Sequence, residues 1–192
     1  LVPRRHRLGA ERARKLLRES LAHAGTYNDR KVKVRFINSE YITTDNIDGQ
    51  LNRMAGVVIC PGFGQRGTEG KIIAANYTRT HDIPTFGICF GMQMMVVEFA
   101  RYVLRHSDAN STEIDSSTHT PVIDIMEEQK NIKQMGGTMR LGAYDCLLTE
   151  GSRAQTAYQG QNIVAERHRH RYEFNNNYLD EFQHAGMYAS GY

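Results

Sequence analysis

No apolar run in this chain approaches the ~20 residues of a membrane-spanning helix, so no such helix is expected and a membrane is not among the expected partners. The opening Leu1-Val2-Pro3-Arg4-Arg5-His6-Arg7 has no apolar stretch behind its charges, so no secretory leader is expected either. Leu1-Val2-Pro3-Arg4 resembles the remnant of a thrombin site, and residues 1–10 are set aside as a tag or non-family N-terminus. Cysteine is scarce. Cys60, Cys89 and Cys146 are odd in number and form no C-x-x-C pair, which argues against a disulfide framework and for a reducing, cytoplasmic setting. Charge of one sign is lacking too: the net charge of +3 is too small to imply nucleic acid as a partner. Internal repeats and low-complexity tracts are absent. What remains is 192 residues, 40% hydrophobic and 23% charged, enough for one soluble domain with a core.

Periodicity gives the organisation. Glu11 to Ala24 reads as a helix, with Leu16, Leu17 and Leu21 at helical spacing and Gly25 as the stop. Residues 31–37 alternate basic and apolar, the pattern of a half-buried strand. Gly56 to Cys60 reads as a buried strand ended by Pro61-Gly62. A helix follows over 70–80, a second buried strand over 84–88, and an apolar helix from Phe90 to about Leu104. Strand, helix, strand, helix with short connections predicts an α/β fold: a doubly wound, mostly parallel sheet with helices on both faces. Continuous hydrophobicity in the two strands predicts that both of their faces are covered. Residues 106–120 are polar and read as a long surface loop. Strands are expected over 122–125, 138–148 and 162–174, and a short helix over 177–184.

Gly87-Ile88-Cys89-Phe90-Gly91 carries the chemistry. It has the G-x-nucleophile-x-G form, set between a buried strand and an apolar helix, which is the context of a nucleophile elbow. A sharp strand-to-helix turn strains the nucleophile's backbone and leaves no room for side chains two residues either way. It also sets the sulfur at a helix N-terminus, where the dipole favours thiolate, with the Phe90 N–H aimed at an oxyanion forming beside it. A lone cysteine is more often buried filler. Here the two glycines, the strand and the helix agree. The second Gly-rich turn, Cys60 to Gly67, follows the other buried strand, and parallel strands end at one sheet edge, where ligands bind. It lacks the G-x-x-x-x-G-K-[ST] spacing of a phosphate loop.

Five segments in order resemble the class I glutamine amidotransferases, and among them the CTP synthase branch. Phe63-Gly64-Gln65-Arg66-Gly67 with Glu69-Gly70-Lys71 is similar to F-G-x-R-G-x-x-G-K, and Gly87 to Gln93 to G-I-C-L-G-M-Q. Asn110 to Glu113 is similar to N-S-T-E, Met135 to Gly142 to M-G-G-T-M-R-L-G, and Glu166 to Glu173 to E-R-H-R-H-R-Y-E. The resemblance implies a flavodoxin-like domain over 11–192, incomplete at its C-terminus, that hydrolyses L-glutamine through a thioester on Cys89. It implies that Gly62, Phe63, Phe90, Gly91, Met92 and Gln93 line the glutamine and oxyanion site. It further implies that Glu113 binds the substrate ammonium and Arg171 its carboxylate, a fit for a bidentate guanidinium. No cofactor is implied in this domain. ATP, magnesium and UTP belong to a synthetase domain that would receive the ammonia, in a full-length enzyme expected to be a homo-tetramer.

The run Arg167 to Arg171 also admits other readings. On a strand its arginines face one way and His168 and His170 the other. Two histidines fall short of a zinc site, so no metal is expected. Acidic flanks argue against a nucleic-acid patch. Two departures from the family stand out. Its general base and orienting acid lie in an H-P-E segment that these 192 residues do not contain; His119-Thr120-Pro121 is misplaced and lacks the acid. Arg4 to Leu8 is too charged for the buried first strand of the family. Pro61 also stands where the family usually has glycine. Without the base the chain is expected to turn over poorly, and a non-catalytic glutamine-binding module is the alternative.

Overall fold

The computed structural model describes residues 4–125 and 140–192; the Met135-Gly136-Gly137-Thr138-Met139 part of one segment lies outside them. The chain divides into two compact units, Leu1–Ile37 and Asn38–Tyr192.

The first unit is helix α1, Arg4–Tyr27, followed by extended chain. The helix runs two residues past the expected stop at Gly25. Gly25 serves another purpose: the chain folds back so closely that a Cβ there would lie 2.6 Å from the Arg30 carbonyl oxygen. The Arg30 N–H donates to the Gly25 carbonyl at 2.7 Å. Residues 31–37 correct the strand expectation, because they form no ladder with any described residue. Alternation makes a chain fit for a sheet, but an edge must be there to accept it. The apolar side is used locally instead, where Arg14 and Arg18 lie over the Phe36 ring at 5.9 and 5.4 Å.

The second unit is α/β. Its order is α2 (Ile47–Leu51), β1 (Val57–Ile59), α3 (Thr68–Thr80), β2 (Thr85–Gly87), α4 (Phe90–Tyr102), β3 (Asn110–Ser111), β4 (Pro121–Ile125), β5 (Arg140–Leu147), α5 (Arg153–Ala157), β6 (Ile163–His170), β7 (Tyr172–Phe174) and α6 (Leu179–His184). β1–β2 and β3–β4 pair in parallel; β4–β7 and β5–β6 pair antiparallel. Of the strands expected over 138–148 and 162–174, the described parts β5 and β6 pair antiparallel, and the second stretch is broken at Arg171 into β6 and β7.

α4 is the centre of the core. Met94, Val97 and Ala100 are fully buried and pack with Val122 and Ile123 of β4 and Phe182 of α6. Covering of both strand faces does not extend to β2, where Phe86 is 66% exposed. The loop expectation for 106–120 also needs correcting. Ala109 and Ser111 are fully buried, and the Asn110 and Thr112 N–H groups donate to the Thr120 and Ile123 carbonyls. A polar stretch can be internal when its backbone groups find partners.

α3 and α4 are joined by a buried carboxylate. Glu98, 2% exposed, accepts from Arg79 Nε at 3.1 Å to both oxygens, Arg79 Nη2 at 2.8 Å and Asn76 Nδ2 at 2.8 Å. Glu98→Ala strands a guanidinium that is itself partly wetted, so it is expected to cost about 2 kcal/mol, less than the loss of a fully buried partner. A urea midpoint unchanged from the parent would refute this.

Candidate active site

The register Ile59↔Gly87 brings the ends of β1 and β2 side by side, so Cys60 and Cys89 both leave the same sheet edge. The Ile88 N–H then donates to the Ile59 carbonyl at 3.0 Å, holding the turn onto β1. Gly91 N–H closes the turn on the Ile88 carbonyl at 2.9 Å, and Gln93 N–H takes the Cys89 carbonyl at 3.1 Å. The result is an elbow. Cys89 sits at φ 53°, ψ −115°, outside the ordinary left-handed well, and is exposed at the start of α4. Both flanking glycines are required by close approach. A Cβ on Gly87 would meet the Met92 Cα at 2.7 Å, and one on Gly91 would meet the Ile59 carbonyl oxygen at 1.9 Å.

Phe90 is buried at 2% exposure, and its N–H is among the first of α4, which have no acceptor inside the helix. Gly62 faces it: a Cβ there would stand 3.5 Å from Phe90 Cδ1. The turn after β1 is fastened to the loop before β4 by two hydrogen bonds. Gly64 N–H donates to Glu113 Oε1 at 3.1 Å, and Gln65 Nε2 donates to the Ile114 carbonyl at 3.0 Å. The Glu113 carboxylate is thereby drawn to the turn that carries Gly62. Phe63 is 73% exposed and Met92 40% exposed, so both are open to solvent rather than buried as packing.

Arg171 occupies the break between β6 and β7. The residue after it is held from two sides: the Tyr172 carbonyl accepts from Gln93 Nε2 at 2.9 Å and from His170 Nδ1 at 3.0 Å. Gln93 is 4% exposed, and its amide is spent on this tether to β7. His168 and His170 share a face as expected, with His168 Nδ1 and His170 Nε2 3.0 Å apart. Because His170 Nδ1 must donate to Tyr172, the neutral pair has His168 Nδ1–H donating to His170 Nε2. The His119 backbone N–H donates to Asp108 Oδ2 at 3.2 Å.

Sequence reasoning passed over Lys71 as a side chain of the site. Its Nζ donates to the Cys60 carbonyl at 2.7 Å and lies 4.8 Å from the Phe90 ring centroid. The available signal was a lysine on the first turn of the helix that the Gly-rich turn feeds.

The profile of glutamine amidotransferase class-I matches residues 14–191. The chain belongs to the class I glutamine amidotransferase family. This amidotransferase domain is 61% identical over 179 residues to the CTP synthase of Bacteroides fragilis, covering 93% of the chain. It is 53% identical, over the same share, to that of Cytophaga hutchinsonii. The chain spans 33% of the length of each of these relatives. Among solved structures it is similar to the Trypanosoma brucei CTPS glutaminase domain with bound acivicin, with a TM-score of 0.85 and 35% identity. The match covers 91% of this chain and 67% of that one. The amidotransferase fold expected from the five segments is therefore the fold of this chain.

Proposed function

We propose that this chain is the glutamine-hydrolysing part of a CTP synthase, with Cys89 as its nucleophile. The observation that carries the reading is the elbow. An exposed thiol at φ 53°, on a helix N-terminus and one residue before an unsatisfied N–H, is a poor way to pack a cysteine and a good way to present one.

Cys89 Sγ adds to the side-chain carboxamide carbon of L-glutamine, and the carbonyl oxygen becomes an oxyanion between the Phe90 N–H and the Gly62 turn. Collapse breaks the C–N bond, and ammonia leaves with a proton that originates on the thiol. The thioester on Cys89 is then hydrolysed by water to glutamate. Glu113 takes the substrate ammonium and Arg171 its carboxylate, with Gly91, Met92 and Phe63 bordering the bound side chain. The imidazole that shuttles the proton belongs to the H-P-E segment, which these 192 residues do not contain. The ammonia passes to a synthetase domain, which aminates UTP to CTP with ATP and magnesium. The full enzyme is read as a cytoplasmic homo-tetramer.

The test is labelling with 6-diazo-5-oxo-norleucine, read by intact mass and peptide mapping, together with ammonia release from L-glutamine. One adduct, on the Cys89 peptide, is expected. No adduct, or equal labelling of Cys60 and Cys146, would sink the reading. Ammonia release is expected to be slow without the H-P-E base, so an adduct on Cys89 upholds the reading even where turnover is lost.

A further inference from the structure

Lys71 is a half-buried cation with no ion pair among the described residues. Two other cations packed against α3 and α4 each have a carboxylate: Arg79 pairs with Glu98 at 2.8 Å and Arg101 with Glu69 at 3.1 Å. Lys71 is more buried than Arg79, yet among the described residues no carboxylate forms an ion pair with it. Its acceptor is a neutral carbonyl, that of Cys60, at 2.7 Å. Burying an ammonium without a counter-charge is costly, and the cost is offset when negative charge appears beside it.

The negative charge that can appear there belongs to the chemistry. The Lys71 ammonium stands 3.1 Å from the place a Cβ on Gly62 would take and 4.8 Å from the Phe90 ring. Gly62 and Phe90 flank the position of the oxyanion. Burial pushes the Lys71 amine below its ordinary value, while the sulfurs of Cys60 and Cys89 act in the opposite direction. The ammonium thus lies against Gly62 and the ring of Phe90, the residue next to Cys89, in a half-buried setting where a fixed charge is worth more than in water.

We infer that Lys71 is a positioning residue of the Cys89 site: its ammonium holds the Cys60–Gly62 turn against Phe90 and supplies positive charge to the thiolate and to the oxyanion that forms from it. The inference deepens the proposed glutamine chemistry and rests on it. Lysine suits the role because it carries a point charge with three donors, of which the Cys60 carbonyl takes one.

The experiment measures rates of Cys89 labelling in the full chain and in Lys71→Met, Lys71→Gln and Lys71→Arg. Two electrophiles are used: 6-diazo-5-oxo-norleucine, which needs the glutamine site, and iodoacetamide, which needs only the thiolate. Lys71→Met and Lys71→Gln are expected to slow the first reagent by about 10-fold or more at neutral pH, with Lys71→Arg within about 3-fold of the parent. The pH midpoint for iodoacetamide at Cys89 is expected to move up in the two neutral variants and to stay in Lys71→Arg. A charge role requires this pH shift; a merely structural lysine would not produce it. Parent-like rates and an unmoved midpoint in Lys71→Met would overturn the inference. So would recovery in Lys71→Gln with loss in Lys71→Arg, which describes an uncharged tether. Should Lys71→Met fail to fold by circular dichroism, the Gln and Arg variants decide. Should the parent itself take no 6-diazo-5-oxo-norleucine, the proposed function fails, and the iodoacetamide profile still judges Lys71.

Discussion

Cys89→Gly is expected to melt above Cys89→Ala by about 2–4 °C, with neither variant carrying any adduct. The argument is one of backbone geometry. At φ 53° and ψ −115° a residue with a Cβ is held in a sparsely populated region, at a cost of about 1–3 kcal/mol. Alanine removes the sulfur and keeps that strain; glycine removes both. Against this stands the extra chain entropy glycine loses on folding, about 0.5–1 kcal/mol. The difference leaves about 1 kcal/mol in favour of glycine. Side-by-side thermal melts decide it: if Cys89→Gly melts at or below Cys89→Ala, the elbow is not strained and the pre-organisation argument for the nucleophile falls with it. Both variants also remove the thiol outright, so any 6-diazo-5-oxo-norleucine adduct that survives in them must be mapped to another residue and counts against Cys89.

Gly91→Ala should act in the opposite sense on the fold and the same sense on the chemistry. The added methyl would sit 1.9 Å from the Ile59 carbonyl oxygen and 2.7 Å from its carbon. Neither atom can turn aside as a side chain can; α4 must lift from β1, or β1 must bend. Either movement strains the Ile88 N–H to Ile59 carbonyl bond that holds the elbow. Overpacking of this kind costs about 1–3 kcal/mol. A displacement of about 1 Å at a reacting centre is worth about 100-fold in rate, so Cys89 labelling is expected to fall that far even where the protein stays folded. Gly49→Ala is the control. Gly49 lies in α2 with nothing within 4 Å of its would-be Cβ, and alanine there is expected to be neutral or stabilising by about 0.5–1 kcal/mol. Equal rates for Gly91→Ala and Gly49→Ala would mean the close approach of α4 to β1 is not what seats the nucleophile.

The legibility of this chain in its sequence follows the distance over which each feature is encoded. The geometry of the elbow was readable because strand, glycines, cysteine and helix are contiguous, and each constrains the same few torsions. α3, β2 and α4 came within two residues of expectation for the same reason. The segment 31–37 was misread because its alternating pattern states a capacity to pair and is silent about whether an edge is present. Phe86 was misplaced by a related error: an apolar run shows what could be covered, and the neighbours decide what is. Glu113 and Arg171 entered only through resemblance. Their positions depend on Gly64 and on the Gln93–Tyr172 tether, contacts between residues far apart in the chain that no local pattern announces. Lys71 went unread as a side chain because its meaning lies in what it fails to pair with.

The Gln93–Tyr172 tether has a consequence for how the protein is made. The elbow's contacts, Ile59 to Ile88 and Ile59 to Gly91, close loops of about thirty residues, whereas the tether joins residues 79 apart. Loop closure grows costlier with length, and topologies rich in short-range contacts form sooner. During synthesis the elbow is therefore expected to assemble before the strand that follows Arg171 has been translated. A nascent chain halted between residues 102 and 171 holds both partners of these short-range contacts, yet lacks Arg171 and the Phe182 against which α4 packs.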